Sequence, residues 1–332
     1  MRAKLPKVLV TGGAGFIGSA FVRLALKRGY KIVVADKLTY AGDLKRLEEV
    51  KGEYKFYRVD ICRHLAIDSI FRKERPSCVV NFSAETHVDR SIIESGPFIE
   101  TNIKGTKILL DLSRKYNITR VLHISTDEVY GEIKKGSFSE ESPLRPNSPY
   151  AASKAAADLL INAYVRTYRF PAIIIRPSNN YGPWQYPEKF IPLAILQVLK
   201  NGKIPVYGKG KNVREWLYVD DCAQAILEIL EKGKIGEVYN IGSNQERENI
   251  GVALALIKAM GVSTKLIAFV KDRPGHDIRY RLNCRKVREE IGWLPRINFN
   301  AGLKRTIYWY IKHKDWLFNK RSNIKYSWGL QE

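Results

Sequence analysis

Lys7-Val8-Leu9-Val10-Thr11-Gly12-Gly13-Ala14-Gly15-Phe16-Ile17-Gly18 decides the architecture of this chain. A short β-branched run stops at a glycine-rich turn, and a helical stretch opens directly behind it. Glycines at 12, 15 and 18 let backbone N–H groups approach a pyrophosphate, which the positive end of a helix attracts. The next β-branched run, Lys31–Asp36, ends on a carboxylate. A carboxylate there accepts hydrogen bonds from a ribose diol and repels a 2′-phosphate. A glycine turn closing a hairpin would explain the glycines but not Asp36 in register. The reading is a dinucleotide site that favours NAD over NADP. Its residues are Gly12, Gly15, Phe16, Ile17, Gly18, Asp36, Lys37 and Thr39, with Lys37 the one that argues for a phosphate. Asp60-Ile61, behind the third run, is a natural place to meet an adenine, although Asp60 could equally cap the helix that follows.

Outward from that stretch, further runs recur at Lys55–Val59, Cys78–Phe82, Arg120–Ser125, Ala172–Arg176 and Glu237–Ile241. Helical candidates lie between them at Gly18–Arg28, Leu65–Lys73, Phe98–Tyr116, Tyr150–Tyr168 and Val219–Glu231. Strands that are apolar nearly throughout, alternating with helices, predict a doubly wound parallel α/β sheet covered on both faces. Pro177 to Arg214 has the composition of binding loops rather than sheet. Asn244 onward reads as irregular and polar, with a helix near Ile250–Met260 and a tail rich in tryptophan and tyrosine. The expected plan is a dinucleotide domain over 1–178 and about 218–243, with a smaller discontinuous lobe over 179–217 and 244–332.

Composition narrows the classes. Of 332 residues, 45% are hydrophobic and 27% charged, which excludes intrinsic disorder. Lysine and arginine exceed aspartate and glutamate by 56 to 34, a net charge of +22. That balance fits nucleic acid, an anionic membrane surface, an acidic small substrate or a solvated basic exterior. The basic residues are spread along the chain rather than clustered, which favours a solvated exterior over a nucleic-acid face. No apolar run approaches the roughly 18 residues of a membrane span. Met1–Lys7 leads into a strand and does not resemble a signal peptide. Cys62, Cys78, Cys222 and Cys284 form no CxxC pair, and the five histidines show no metal-ligand spacing. A cytoplasmic protein without metal is the expectation.

Tyr150-Ala-Ala-Ser-Lys154 stands in the first turns of a predicted helix, which Ser148 caps and Pro149 opens. Spacing of four puts phenol and ammonium on one face. The ammonium is expected to lower the phenol's pKa from its ordinary value near 10. The pair is then a base for a sugar hydroxyl while hydride leaves the same carbon.

These motifs resemble the extended short-chain dehydrogenase/reductase family, whose members act on nucleotide sugars. Within it, Ser125-Thr126-Asp127-Glu128-Val129-Tyr130-Gly131 is similar to the dTDP-glucose 4,6-dehydratase branch. So are Asp36-Lys-Leu-Thr-Tyr-Ala-Gly42, Ala84-Glu-Thr-His-Val-Asp-Arg-Ser91, Asn179-Asn-Tyr-Gly-Pro183, Pro187-Glu-Lys189, Arg214-Glu-Trp-Leu-Tyr-Val219 and Asp272-Arg-Pro-Gly-His-Asp-Ile-Arg-Tyr280. The resemblance implies that Tyr150 takes the glucose 4-hydroxyl proton, with Thr126 on the 4-oxygen, as NAD receives hydride. Glu128 then abstracts the C5 proton and Asp127 protonates the departing 6-hydroxyl. Hydride returns to C6, giving dTDP-4-keto-6-deoxyglucose and regenerating a tightly held NAD. Asp127 must stay protonated while Glu128 is ionised. Neighbouring strand residues face opposite ways, so both can serve one substrate only if the chain turns just after Thr126.

The resemblance further implies NAD contacts at Ala84, Thr101, Tyr150, Lys154 and Asn180. It implies substrate contacts at Thr86, His87, Asn179, Lys189, Phe190, Pro205, Val206, Tyr207, Asn249, His276 and Tyr280. Arg214 and Arg273 are the expected pyrophosphate arginines. His87 and His276 could also be buried, satisfied histidines. Asn81-Phe-Ser-Ala84 and Trp184-Gln185-Tyr186 depart from the family's more frequent His-Leu-Ala-Ala and Tyr-His-Phe. A homodimer through a four-helix bundle of Phe98–Tyr116 and Tyr150–Tyr168 is likewise implied. The rivals are another nucleotide-sugar epimerase or decarboxylase of the same fold, which needs no Asp-Glu pair, and a basic nucleic-acid-binding protein.

Overall fold

Runs of consecutive apolar residues become strands buried on both faces, as a parallel sheet between helical layers requires. The computed structural model describes residues 5–320. It begins with β1 (Lys7–Thr11), α1 (Phe16–Lys27), β2 (Lys31–Asp36), β3 (Lys55–Arg58), α2 (His64–Glu74) and β4 (Cys78–Asn81). Two short helices, α3 (Val88–Ile93) and α4 (Gly96–Phe98), lead through a π-helical turn at Ile99–Gly105 into α5 (Thr106–Lys115). Next come β5 (Arg120–Ile124), α6 (Pro149–Tyr168), β6 (Ala172–Pro177), β7 (Asn179–Tyr181) and α7 (Phe190–Leu199). β8 (Ile204–Tyr207), β9 (Val213–Tyr218), α8 (Val219–Lys232) and β10 (Val238–Ile241) follow. The described chain ends with β11 (Glu246–Glu248), α9 (Asn249–Met260), β12 (Ile267–Val270), α10 (Arg285–Ile291), α11 (Phe299–Lys312) and α12 (Lys314–Asn319).

The main sheet has seven parallel strands in the order β10-β6-β5-β4-β1-β2-β3. The chain winds outward in both directions from β1 and β4, which pair with Thr11 opposite Asn81. That reversal is the switch point of a doubly wound sheet, and the crevice beyond its carboxyl ends is where ligands gather. Alternate residues of β1 feed opposite cores. Val8 and Val10 pack with Phe21 and Ile226 of α1 and α8. Leu9 packs with Ile67, Leu109 and Ile161 of α2, α5 and α6. A separate core gathers Ile195, Val206, Trp216, Leu256, Phe299 and Tyr310. Around it lie a three-stranded sheet, β11-β9-β7, and a two-stranded one, β12-β8.

Three expectations need correction. Pro177–Arg214 is not merely loop, because α7, β7, β8 and the start of β9 lie in it. Phe-Ile-Pro-Leu-Ala-Ile-Leu-Gln-Val-Leu is buried at most positions, so it carries no polar face to reveal a helix. The region after Asn244 also holds more order than its polarity suggests, with β11, β12 and helices α10, α11 and α12 beyond α9. Phe98–Tyr116 is not one α-helix. Its first part is wound as a π-turn whose Gly105 lies where a Cβ would stand 2.5 Å from Ile61. The extreme ends, 1–4 and 321–332, carry part of the leader reading and the last Tyr and Trp of the aromatic-tail reading and lie outside the described residues. Among the described residues no helix is long and apolar enough to cross a membrane.

Candidate active site

The dinucleotide cleft follows from the turn between β1 and α1. Gly12 has φ +70°, and a Cβ there would stand 2.6 Å from the Ser83 backbone nitrogen, so only glycine fits. Gly15 is the N-cap of α1 and brings no side chain to it, which leaves the first N–H groups of the helix open to an anion. Gly12, Gly15, Phe16 and Ile17 line the cleft. Gly18 does not; its Cβ would meet Gly12 O at 2.3 Å, so its place is close packing of helix on turn. At the end of β2, Asp36 accepts from Ala14 N at 2.9 Å and Leu38 N at 2.8 Å. Lys37 is bound to Asp60 Oδ2 at 2.7 Å. Asp60 also accepts from Cys62 N and therefore holds a turn, while Arg63 is the N-cap of α2. Thr39, Ile61, Ala84, Thr101 and Asn180 complete the expected wall. Asn180 Oδ1 and Asn179 Oδ1 are buried without a partner, a demand that a ligand's donors would meet.

The expected reacting groups converge where β5 ends and α6 begins against this cleft. The Ser148 hydroxyl accepts from Ala151 N and starts α6, with Pro149 in its first turn. That cap sets Tyr150 and Lys154 on the cleft side. Lys154 Nζ donates to Ile124 O at 2.6 Å, and burial draws its pKa down to about 8. The expected lowering of Tyr150 is not found. Burial, reinforced by the negative charge of Glu128, pushes the phenol well up, and a hydrogen bond with Thr126 opposes this only in part. Desolvation outweighs the lysine.

The chain does turn after Thr126. Asp127–Tyr130 forms one 3₁₀ turn, and Thr126 caps it by accepting from Glu128 N at 3.3 Å. Asp127 is 2% exposed; one oxygen accepts from the Thr126 hydroxyl at 3.2 Å, and the other has no partner. Burial, with Glu128 and Glu215 nearby, holds the Asp127 carboxyl far above the usual range. Burial raises Glu128 too, but Arg273 and Arg214 draw it back. Burial thus raises both acids, Asp127 the more strongly; Arg214 draws on each, Glu128 and Glu215 add to the rise of Asp127, and Arg273 leads the pull on Glu128 against Asp277.

A second cavity joins the first through Glu128, Asn179, Glu188 and Lys189, which line both. It is also lined by His87, Phe190, Pro205, Tyr207, Arg214, Asn249, Arg273 and His276. Thr86 stays on the first cavity, and its carbonyl accepts from Lys189 Nζ at 2.8 Å. His87 is both a wall residue and a cap: Nδ1 accepts from Arg90 N, and burial pushes its pKa down to about 3. His276 Nδ1 lies 2.6 Å from Asp272, and burial pushes its pKa down to about 4. Arg214 is braced by the Val213 and Asp277 carbonyls at 2.8 Å, with its guanidinium 4.2 Å from the centre of the Tyr280 ring. Arg273 is bound to Asp89 at 2.9 Å. Besides Gly18, two expected substrate contacts line neither cavity. Val206 alternates inward on β8 and is buried in the second core. Tyr280 is buried against Arg214, with its hydroxyl on Asp277.

Sequence reasoning overlooked Glu188 and Asp89. Glu188 accepts from the Tyr40 hydroxyl at 3.2 Å and stands 3.7 Å from His87 Nε2. Asp89 receives Tyr207 and Arg273. Their partners lie far away in the chain, so only their presence inside quoted motifs could have flagged them.

The sequence model of the family described as GDP-mannose 4,6 dehydratase matches residues 9–306. A dTDP-glucose 4,6-dehydratase of Neisseria meningitidis is 47% identical over 94% of this chain and 95% of its own length. The crystal structure of dTDP-glucose 4,6-dehydratase from Bacillus anthracis in complex with NAD is 44% identical. It superposes with a TM-score of 0.89 over 95% of this chain and 99% of that one. A Thermus thermophilus UDP-glucose 4-epimerase complex with NAD is 31% identical, with a TM-score of 0.87 over 92% of this chain and 99% of that one.

Proposed function

The chain belongs to the dTDP-glucose 4,6-dehydratase family, and we propose that it converts dTDP-glucose to dTDP-4-keto-6-deoxyglucose by loss of water. The observation that carries this reading is the Asp127–Glu128 pair on one turn beside Tyr150, with Asp127 held further above the usual carboxylate range than Glu128. A 4-epimerase needs the tyrosine but no such pair.

The glycine turn fits a pyrophosphate, because Gly12 and Gly15 line the cleft with bare backbone and the start of α1 carries no side-chain cap. Asp36 would take the adenosine ribose, Asp60 and Ile61 would border the base, and Thr101, Lys154 and Asn180 would hold the nicotinamide end. Bound NAD would supply a reversible two-electron acceptor, able to take hydride from C4 and to give it back at C6 once water has left, and its positive ring would favour the Tyr150 phenolate. Tyr150 receives the 4-hydroxyl proton, and Thr126 stays bonded to the 4-oxygen. The ketone at C4 acidifies the C5 proton, which ionised Glu128 removes. Protonated Asp127 gives its proton to the 6-oxygen, and the C–O bond breaks to release water. Glu128 afterwards returns a proton to C5. The proton gained by Tyr150 must reach Asp127 before the next turnover, and the Thr126 hydroxyl is bonded to both. Arg214 and Arg273 meet the diphosphate, and Tyr207 with Pro205 borders the base.

The active unit proposed is a homodimer through α6 and the 96–115 run. Ile99, Leu159 and Tyr168 on these helices are exposed, as an apolar seam between copies would need. A cytoplasmic setting belongs to the same proposal, and all four cysteines are free. Incubation with dTDP-glucose followed by proton NMR tests the reaction. A C6 methyl signal in the product supports it, and an intact hydroxymethyl with an inverted C4 refutes it in favour of epimerisation.

A further inference from the structure

Beneath Lys154 runs a buried polar chain that the reaction above leaves unused. Lys154 Nζ stands 3.4 Å from His123 Nε2, and His123 Nδ1 stands 3.2 Å from the Asn81 amide nitrogen. His123 and Asn81 are 1% and 3% exposed, so water does not arbitrate their protons. The direction of every hydrogen bond is fixed from the far end. Asn81 Oδ1 accepts from the Ser83 backbone N–H at 3.0 Å and from the Thr11 hydroxyl at 2.7 Å. A backbone N–H only donates, so that atom is the amide oxygen and the atom facing His123 is the amide nitrogen. The nitrogen in turn only donates, and His123 Nδ1 must accept. Burial and the charge of Lys154 hold His123 neutral, so its single ring proton sits on Nε2. An N–H donor therefore points at Lys154. An ammonium has no lone pair to receive it, whereas a neutral amine has one.

We propose that Asn81 and His123 are positioning residues that tilt Lys154 toward its neutral amine and thereby set the upper pH limit for the Tyr150 step. The kinetic half rests on the proposed reaction; the titration of Lys154 does not. Other groups facing the lysine do not reverse the tilt. The Ile124 carbonyl on β5 accepts one of its protons, and Asp158 one turn along α6 attracts the charge. Asp158 is itself bonded to Arg176 from β6 at 2.9 Å, which draws off much of that attraction. Thr11 from β1 is bonded to Asn81, and Thr106 lies 3.5 Å from its amide nitrogen. Tyr150, on the same face as Lys154, is held neutral by burial. The ammonium stabilises the phenolate, so activity falls as pH rises through the Lys154 pKa. Raising that pKa moves the alkaline limb upward.

The experiment uses the full chain with NAD bound and lysine labelled with ¹³C at the ε carbon. The Lys154 resonance is the one lost in Lys154→Met. In the unaltered protein it should titrate at about 8. In Asn81→Asp the carboxylate accepts from His123 Nδ1–H, freeing Nε2 to accept from the ammonium. The midpoint should rise by about one unit, with the alkaline limb of kcat following and KM for dTDP-glucose unchanged. Asn81→Leu, which removes the amide donor and lets the ring turn its Nε2 lone pair to Nζ without adding charge, should move both the same way and serves if the first variant does not fold. A midpoint that stays or falls in both variants overturns the proposal. A raised midpoint with a fixed alkaline limb overturns its kinetic half. A raised midpoint in a chain that turns over no dTDP-glucose upholds the tilt and counts against the reaction instead.

Discussion

Asp127 and Glu128 are neighbours in sequence that burial raises to different extents, and the proposed chemistry turns on that difference. Glu128 and Glu215 add to the rise of Asp127, Arg273 leads the pull that holds Glu128 lower, and Arg214 draws on both. Asp127→Asn and Glu128→Gln should each lower kcat by roughly 10²–10⁴-fold while still oxidising C4, so that rapid-quench analysis finds a 4-keto hexose that retains its 6-hydroxyl. Full turnover by both variants would contradict the roles given. The pH–rate profile should be bell-shaped, falling on the acid side as Glu128 gains its proton and on the alkaline side as an acidic group, Asp127 or Lys154, loses one. Stability carries the same signature. A carboxyl raised on folding binds its proton more tightly in the native state, so stability falls as pH climbs from about 3.9 through the raised value. Asp127→Asn should therefore melt higher than the unaltered chain at pH 8, and thermal scans should show the gap close toward pH 4. An equal gap at both values would argue that Asp127 is ionised throughout.

At the scale of elements, what could be read in advance was whatever depends on near neighbours. The turn at Gly12–Gly18 and the Ser148 cap rest on contacts within a few residues, the seven sheet strands show as continuous apolar runs, and all appear where expected to within a residue or so. Removing the cap in Ser148→Ala should cost about 1 kcal/mol in urea unfolding and lower kcat by freeing Tyr150. Gly18→Ala would drive a methyl to 2.3 Å from Gly12 O and lift α1 off the turn. Calorimetry should then show NAD affinity down at least about tenfold, the first helical turn being what an anion meets. Illegible parts had a different cause. α7 is apolar on nearly every side, so no periodicity marked it. Val206 belongs to a motif, yet strand alternation turns its side chain inward. The Tyr150 shift reversed because burial, a property of the whole fold, outweighs a lysine four residues away.

Across the whole molecule, function arises where a doubly wound sheet meets a second core. Glu128, Asn179, Glu188 and Lys189 border both cavities, so the proposed oxidation and substrate sites share walls. The net charge of +22 suits an anionic sugar nucleotide in sign but exceeds what one diphosphate requires. Leu159→Glu on α6 should divide the proposed dimer, read as a halved mass in sedimentation; an unchanged mass would move the interface elsewhere. The central claim concerns a proton and a water. Mass spectrometry of the product formed from dTDP-glucose in deuterated water tests it most directly. The account predicts a product lighter by one water and carrying one deuterium, at C5; a product of unchanged composition, or one dehydrated without deuterium at C5, would contradict it.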